Sequence, residues 1–204
     1  MFIIGLTGGT GSGKTSALRV LETFGALAID CDAIYHELLA SDEDMKIELA
    51  QRFPGAVNNG IVNRSLLGSI VFNDSAALLD LNAITHKYTI QNVEDKLAKW
   101  ESQSGRIAAI DAIALIESGV NEKCDIVIGI TAPKEIRIQR IIARDGINLQ
   151  QAALRIDAQK PDSFFAEHCD YILVNTYATK DEFDEYCKRF FKNIINDGGI
   201  KNAN

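Results

Sequence analysis

The sequence predicts an α/β fold, a parallel five-stranded sheet flanked by helices, with an inserted helical subdomain and a helical lid. Three observations predict it. Short apolar runs recur at "FIIGL", "LAID", "IAAID", "DIVIGI" and "YILVN". Helical patterns separate them, the alternation that builds parallel sheets. A glycine-rich loop, "GLTGGTGSGKT" over residues 5–15, joins the first run to a helix. From about Ser41 to Gly105 the alternation stops and only helical pattern remains.

The first element, "MFIIGL", reads as a buried strand, and "TSALRVLETFG" reads as a helix with Ala17, Leu18 and Leu21 on one face. Between them Gly8, Gly13, Lys14 and Thr15 fit G-x-x-x-x-G-K-[ST], which makes the sheet of the P-loop NTPase type. Glycine permits positive φ and lets backbone N–H groups converge on an anion. Gly8, Gly9, Thr10, Gly11, Ser12 and Gly13 are therefore expected to wrap the phosphates of a nucleotide. The helix N-terminus adds partial positive charge there. Lys14 would reach the outer phosphates, and the Thr15 hydroxyl would ligate Mg2+. A flexible glycine turn is the plainer alternative; the strand–loop–helix context favours the nucleotide.

The second strand, "LAID", runs into "AIDCDAIYH", which places Asp30 and Asp32 at the mouth of the sheet. Asp32 is either the N-cap of the following helix or a carboxylate that takes a proton from an attacking hydroxyl or ligates magnesium. "HELLA" at His36 is no zinc motif, because Ala40 stands where H-E-x-x-H requires histidine.

Next come three helical patterns, "DEDMKIELAQRF", "RSLLGSIVF" and "SAALLDLNAITHKYTIQNVEDKLAKW". Ile90, Val93, Leu97 and Trp100 recur at helical spacing in the last, a stripe that packing alone explains. An insertion at this point of a nucleotide-binding sheet suits a subdomain for the phosphoryl acceptor, since ligands gather at the carboxyl ends of the strands. The expected boundaries are 1–40 and 106–197 for the core, 41–105 for the insertion and 198–204 for a frayed tail.

Asp111 closes the third strand and is a Walker B candidate. No D-x-x-G follows it, and "NTYATKD" does not fit the guanine-reading N-K-x-D. A regulatory NTPase is thereby the weaker reading beside a kinase. In "KEIRIQRIIARDG" Arg137, Arg140 and Arg144 share one helical face, with Ile138, Ile141 and Ile142 opposite. That face is either solvated or a phosphate clamp. Arg155 follows on a second short helix beyond Gly146, so residues of about 137–165 read as a lid that keeps water from the transferred group. The last helix carries Phe183, Tyr186, Cys187, Phe190, Phe191, Ile194 and Ile195 at core spacing.

Composition narrows the partners. The chain has 204 residues, 47% hydrophobic and 24% charged, with formal net charge −7. That balance disfavours a nucleic-acid backbone, while local arginines suffice for a compact anion. Four scattered cysteines without a C-x-x-C pair suggest reduced thiols in a cytoplasmic protein. No apolar segment reaches spanning length, so no membrane partner is expected. A monomer or weak homo-oligomer acting on small molecules is the expectation.

"GLTGGTGSGKT", "IDCD", "VNRSLLGSIVF", "ITHKY", "DAIALIESG", "RIIARDG", "RIDAQ" and "CDYILVN" occur in this order over residues 3–175. In that order and spacing the chain resembles the dephospho-CoA kinases. The resemblance implies ATP and dephospho-CoA as substrates, Asp32 as catalytic carboxylate and Asp30 as its support. It implies Arg140 and Arg144 as phosphate-clamping lid arginines, Asn175 near the adenine, and Arg64 and His86 on the acceptor side. On spacing alone, His86 reads more simply as a structural histidine. The chain departs from the commoner family pattern at Lys87, at Ala114, Leu115 and Ile116, and after Gln159. Without the resemblance, the residues support a small-molecule P-loop kinase, nucleoside and nucleoside-monophosphate kinases included.

Overall fold

A computed structural model describes residues 1–72 and 74–197; the expected tail at 198–204 lies outside the described residues. In chain order the elements are β1 (Phe2–Thr7), α1 (Lys14–Thr23), β2 (Leu27–Asp30), α2 (Cys31–Ser41) and α3 (Glu43–Arg52). A short hairpin, β3 (Val57–Asn58) and β4 (Ile61–Val62), precedes α4 (Arg64–Phe72) and the long α5 (Ser75–Ser102). There follow β5 (Ile107–Asp111), a 3-10 turn at Val120–Lys123, β6 (Ile126–Thr131), α6 (Lys134–Asp145), α7 (Leu149–Asp157), α8 (Asp162–His168), β7 (Tyr171–Val174) and α9 (Lys180–Asp197).

Five strands form one sheet in the order β2-β5-β1-β6-β7. Strand β1 is central. It pairs in parallel with β5, Leu6 opposite Asp111, and with β6, Ile4 opposite Ile126. Strand β7 joins β6 in parallel, Ile128 opposite Tyr171. The chain winds outward from β1 to β2, returns through β5 and then crosses to β6. That reversal at β1 is where open α/β sheets leave a crevice for ligands.

Helices α1 and α9 hold one face of this sheet. Ile4, Leu6, Ile128 and Ile130 are fully buried in a cluster with Ala17, Val20 and Leu21 of α1. Helix α9 adds Phe183, Cys187 and Phe191, an i, i+4, i+8 stripe at 1% exposure or less. Burying each such phenylalanine contributes about 1.5–3 kcal/mol before entropy is set against it.

By its internal contacts the chain divides into two compact units, Met1–Ile29 with Trp100 onward, and Asp30–Lys99. The second unit is helical apart from β3 and β4. In α5 every fourth residue from Ala77 to Leu97 is buried, including Thr85 and Thr89. The Thr85 hydroxyl donates to the Leu81 carbonyl at 2.9 Å, which lets a polar side chain join an apolar stripe. Of the expected stripe, Val93 and Leu97 are buried, while Ile90 and Trp100 are half-buried. Within this unit Glu48 of α3 accepts from Lys87 at 2.5 Å and from the Tyr88 hydroxyl at 2.8 Å, so α3 and α5 are cross-tied.

The hairpin corrects the expectation of helices alone between Ser41 and Gly105. In "VNNGIV" Val57 pairs with Val62 and Asn58 with Ile61 in antiparallel register. Asn59 (φ 50°) and Gly60 (φ 74°) both take the left-handed region. Two such residues between strands are the signature of a tight Asn-Gly turn. Among the described residues no helix is long and apolar enough to cross a membrane.

Candidate nucleotide site

The site begins where β1 ends. Gly8 leaves the strand at φ 138°, and a Cβ there would stand 2.0 Å from the Ile130 carbonyl oxygen. Gly13 closes the loop at φ 115°, where a Cβ would meet the Asn175 amide nitrogen at 2.5 Å. Any side chain at either position collides with backbone or a buried amide, so the sequence requires glycine at both. Gly13 is also the N-cap of α1 and brings no side chain to cap it. The positive end of α1 therefore faces the loop interior, the arrangement that binds phosphate. Lys14 Nζ donates across the loop to the Gly8 carbonyl at 2.9 Å. Thr15 stands exposed in the first turn of α1, with its hydroxyl oxygen available as a hard donor.

Two arginines of α6 pack against the outside of this loop. Arg137, 5% exposed, donates Nε–H to the Thr10 carbonyl at 2.9 Å and Nη2–H to Gln159 Oε1 at 2.6 Å. Arg140 donates Nη1–H to the carbonyls of Gly11 (3.2 Å) and Ser12 (3.4 Å). Its Nη2 donates to Asn175 Oδ1 at 3.1 Å and to the Tyr177 carbonyl at 3.2 Å. Asn175, 3% exposed, completes the link by donating Nδ2–H to the Ser12 carbonyl at 2.8 Å. These cations occupy the loop's carbonyls, the groups that would repel a phosphate. Burial pulls the pKa of Arg137 and of Arg140 below the usual guanidinium value; arginine stays charged all the same.

Arg144 is placed differently. It lies seven residues beyond Arg137, about 10 Å further along α6 at helical rise. Its guanidinium donates to both oxygens of Asp145, at 2.7 and 3.0 Å, and Arg155 Nη1 donates to the same carboxylate at 2.5 Å. The expected basic face is therefore neither uniformly solvated nor a single clamp. Its first two arginines brace the loop, and its third joins an ion triad beside Gly146.

A cleft of about 360 Å³ opens at the start of α1, lined by Gly13, Ser16, Arg140, Asn175, Thr179 and Phe183. Asp111, 7% exposed, ends β5 beside Leu6 at the root of the loop. The described residues contain no group of three His, Cys, Asp or Glu side chains placed to hold a metal. Magnesium needs none, since it takes one or two protein oxygens and completes its shell with phosphates and water. Within the first unit, the Thr15 hydroxyl and the Asp111 carboxylate are oxygens of that kind.

The remaining expected residues belong to the second unit. Asp30 is the N-cap of α2, its Oδ1 accepting from the Ala33 N–H at 2.9 Å. This corrects the capping alternative for Asp32. Helix α2 begins at Cys31, so the extended residue before it is Asp30, and Asp32 lies inside the first turn. Arg64 opens α4, and its charge opposes the rise that burial gives the Tyr35 phenol. His86 is half-buried midway along α5. The sequence reading did not single out Gln159 or assign Arg137 to the loop. Gln159 carries no periodic signal, though it closes the run "RIDAQ"; for Arg137 the three-residue spacing to Arg140 was the available hint.

A family model described as dephospho-CoA kinase matches residues 2–181. The dephospho-CoA kinase of Geobacter sulfurreducens is 33% identical over 197 residues, covering 93% of this chain and 100% of the relative. A solved protein from Thermus thermophilus superposes with TM-score 0.78 at 28% identity, covering 96% of this chain and 97% of that one. The dephospho-CoA kinase structure from Campylobacter jejuni gives TM-score 0.68 at 23% identity, over 97% of this chain and 98% of its own. The last likeness shows a shared fold.

Proposed function

Because the chain belongs to the dephospho-CoA kinase family, we propose that it transfers the γ-phosphoryl group of ATP to the ribose 3′-hydroxyl of dephospho-CoA, the last step of coenzyme A synthesis. One observation carries the nucleotide half of this reading. The loop at residues 8–15 has the carbonyls of Thr10, Gly11 and Ser12 taken up by Arg137 and Arg140, and the uncapped start of α1 at its end. The acceptor half rests on the family.

Phosphoryl transfer asks a protein mainly for positioning and for stabilisation of spreading negative charge. Gly11 to Thr15 would hold the β- and γ-phosphates through backbone N–H groups, and Lys14 would leave the Gly8 carbonyl to pair with the outer oxygens. Asp32 would take the proton of the 3′-hydroxyl as its oxygen bonds to phosphorus and the bond to ADP breaks. Asp30, by capping α2, would fix the turn that carries Asp32. Thr15 and Asp32 would hold magnesium, which would supply positive charge against the phosphates. Asn175 and Phe183 line the cleft suited to adenine. Arg144, after exchange from Asp145, would stabilise the transferred group, and Arg140 would do so only on leaving the loop carbonyls it braces, with residues of about 137–165 as the lid. Arg64 and His86 would serve the acceptor on the inserted subdomain, residues 41–105. That none of the four cysteines is in a disulfide supports a cytoplasmic location.

A coupled assay for ADP release tests the reading. Dephospho-CoA should stimulate release strongly, with coenzyme A as the product by mass spectrometry. Nucleosides, nucleoside monophosphates and coenzyme A itself should not. Vigorous ATP hydrolysis indifferent to every acceptor would overturn it.

A further inference from the structure

We infer that Gln159 is a positioning residue for ATP: with Arg137 it fixes Thr10 and so decides which groups of the phosphate loop face the nucleotide. The inference rests on the kinase reading for what the loop holds, and on the loop's own hydrogen bonds for how it is held. Gln159 uses both ends of its carboxamide at once. Its Oε1 accepts from the Thr10 N–H at 2.9 Å and from Arg137 Nη2 at 2.6 Å, while its Nε2 donates to the Thr10 hydroxyl at 2.7 Å. Arg137 Nε in turn donates to the Thr10 carbonyl at 2.9 Å. All three polar groups of Thr10 thus have protein partners.

The amide can work in one orientation only. Two N–H donors meet at Oε1, so a flipped amide would point its own N–H groups at them. Arg137 also lies flat over the loop: a Cβ on Gly9 would stand 2.1 Å from Arg137 Nη2. Thr10 is therefore a fixed post of the loop, and the donors left for phosphate lie downstream, from Gly11 to Thr15. The same node ties down the helix pair α6–α7 at its base. Arg137 sits in the first turn of α6, and Gln159 follows Ala158, the C-cap of α7. Both ends of the pair thereby converge on one loop residue, while its far end near Gly146 is held by the separate Asp145 triad. Any movement of the pair over bound ATP must occur beyond this anchor.

The test is calorimetric titration of the full chain with ATP, which requires no acceptor and stands apart from the identity of that acceptor. Gln159→Ala should weaken ATP binding about tenfold at unchanged stoichiometry, the scale of one or two lost hydrogen bonds. The full stoichiometry separates a misplaced loop from a smaller folded fraction. In turnover with saturating ATP, the KM for dephospho-CoA should stay within about twofold. Thr10→Val removes the hydroxyl partner, and the double variant should be no worse than the poorer single one. Gln159→Glu serves where the alanine variant yields too little folded protein. It keeps the size and the Arg137 partner, and the Thr10 hydroxyl can turn to donate to its second oxygen, but it sets a negative charge beside the loop, so it should bind ATP at least tenfold more weakly. ATP affinity within about twofold of the wild type in either Gln159 variant overturns the proposal. Additive losses in the double variant overturn it as well.

Discussion

Asp30 and Asp32 stand two residues apart and divide their work by where α2 begins. The carboxylate of Asp30 is held by the Ala33 N–H, so Asp30→Ala should lower stability by about 0.5–2 kcal/mol, read by denaturant titration. Asp32 lies inside the helix, where its charge favours the helix N-terminus by only about 0.3–1 kcal/mol. Asp32→Asn should therefore melt within a few degrees of the wild type and still bind ATP, while phosphoryl transfer falls about a hundredfold or more. Near-normal turnover in that variant would remove Asp32 from the mechanism and turn attention to Asp111. Lys14→Ala makes the complementary case. Its hydrogen bond to Gly8 is worth roughly 1 kcal/mol, and the variant should lower kcat/KM about a hundredfold or more because the charge belongs to the phosphates. Normal turnover with a depressed Tm would refute the assignment. At this scale the sequence was readable where the chemistry is local: Gly8, Gly13, Lys14 and Thr15 lie within eight residues. The cap was off by two residues, since helix starts depend on backbone dihedrals that residue identity alone leaves open. Thr10 and Gln159 each fall in a quoted motif, but their contact spans 149 residues, and nothing in either motif announces the pairing.

Among the elements, α9 offers the sharpest contrast. Phe183 and Phe191 belong to the same buried stripe, and Phe183 also lines the cleft beside Gly13. Each alanine substitution should cost about 3–5 kcal/mol. Phe183→Ala should also weaken ATP binding, whereas folded Phe191→Ala should bind ATP as the wild type does. Equal ATP affinities in the two variants would show that the cleft does not receive the nucleotide. The stripe was legible because seven apolar residues repeat at helical spacing. The hairpin β3–β4 was not, for strands of two residues are too short to alternate. Its one signal was the dipeptide Asn59-Gly60, whose left-handed φ values make the turn. In α5 the buried stripe runs through Thr85 and Thr89, and hydropathy alone overlooks a threonine such as Thr85, whose hydroxyl is satisfied within the helix.

For the molecule as a whole, the thiols report on folding. Burial pushes Cys124 and Cys187 up to about 12 and Cys169 to about 11. The thiolate is the reactive form, so at pH 8 these three should react slowly with a disulfide reagent. All of them should react fast in denaturant; rapid labelling of the native protein would contradict the burial. Fold class was legible at this scale because five apolar runs alternate with helices, whereas strand order depends on pairings between distant segments. The central strand has a temporal consequence. β1 is made first, yet its neighbours begin at Ile107 and Ile126, after the whole of the second unit has left the ribosome. The unit Asp30–Lys99 is contiguous in the chain, whereas the sheet must wait across more than a hundred residues for its middle strand to find partners. Closing so long a loop is slow. During synthesis the strand that carries the phosphate loop is thus the oldest piece of the sheet and among the last to be secured, exposed to chaperones and proteases until β5 and β6 arrive.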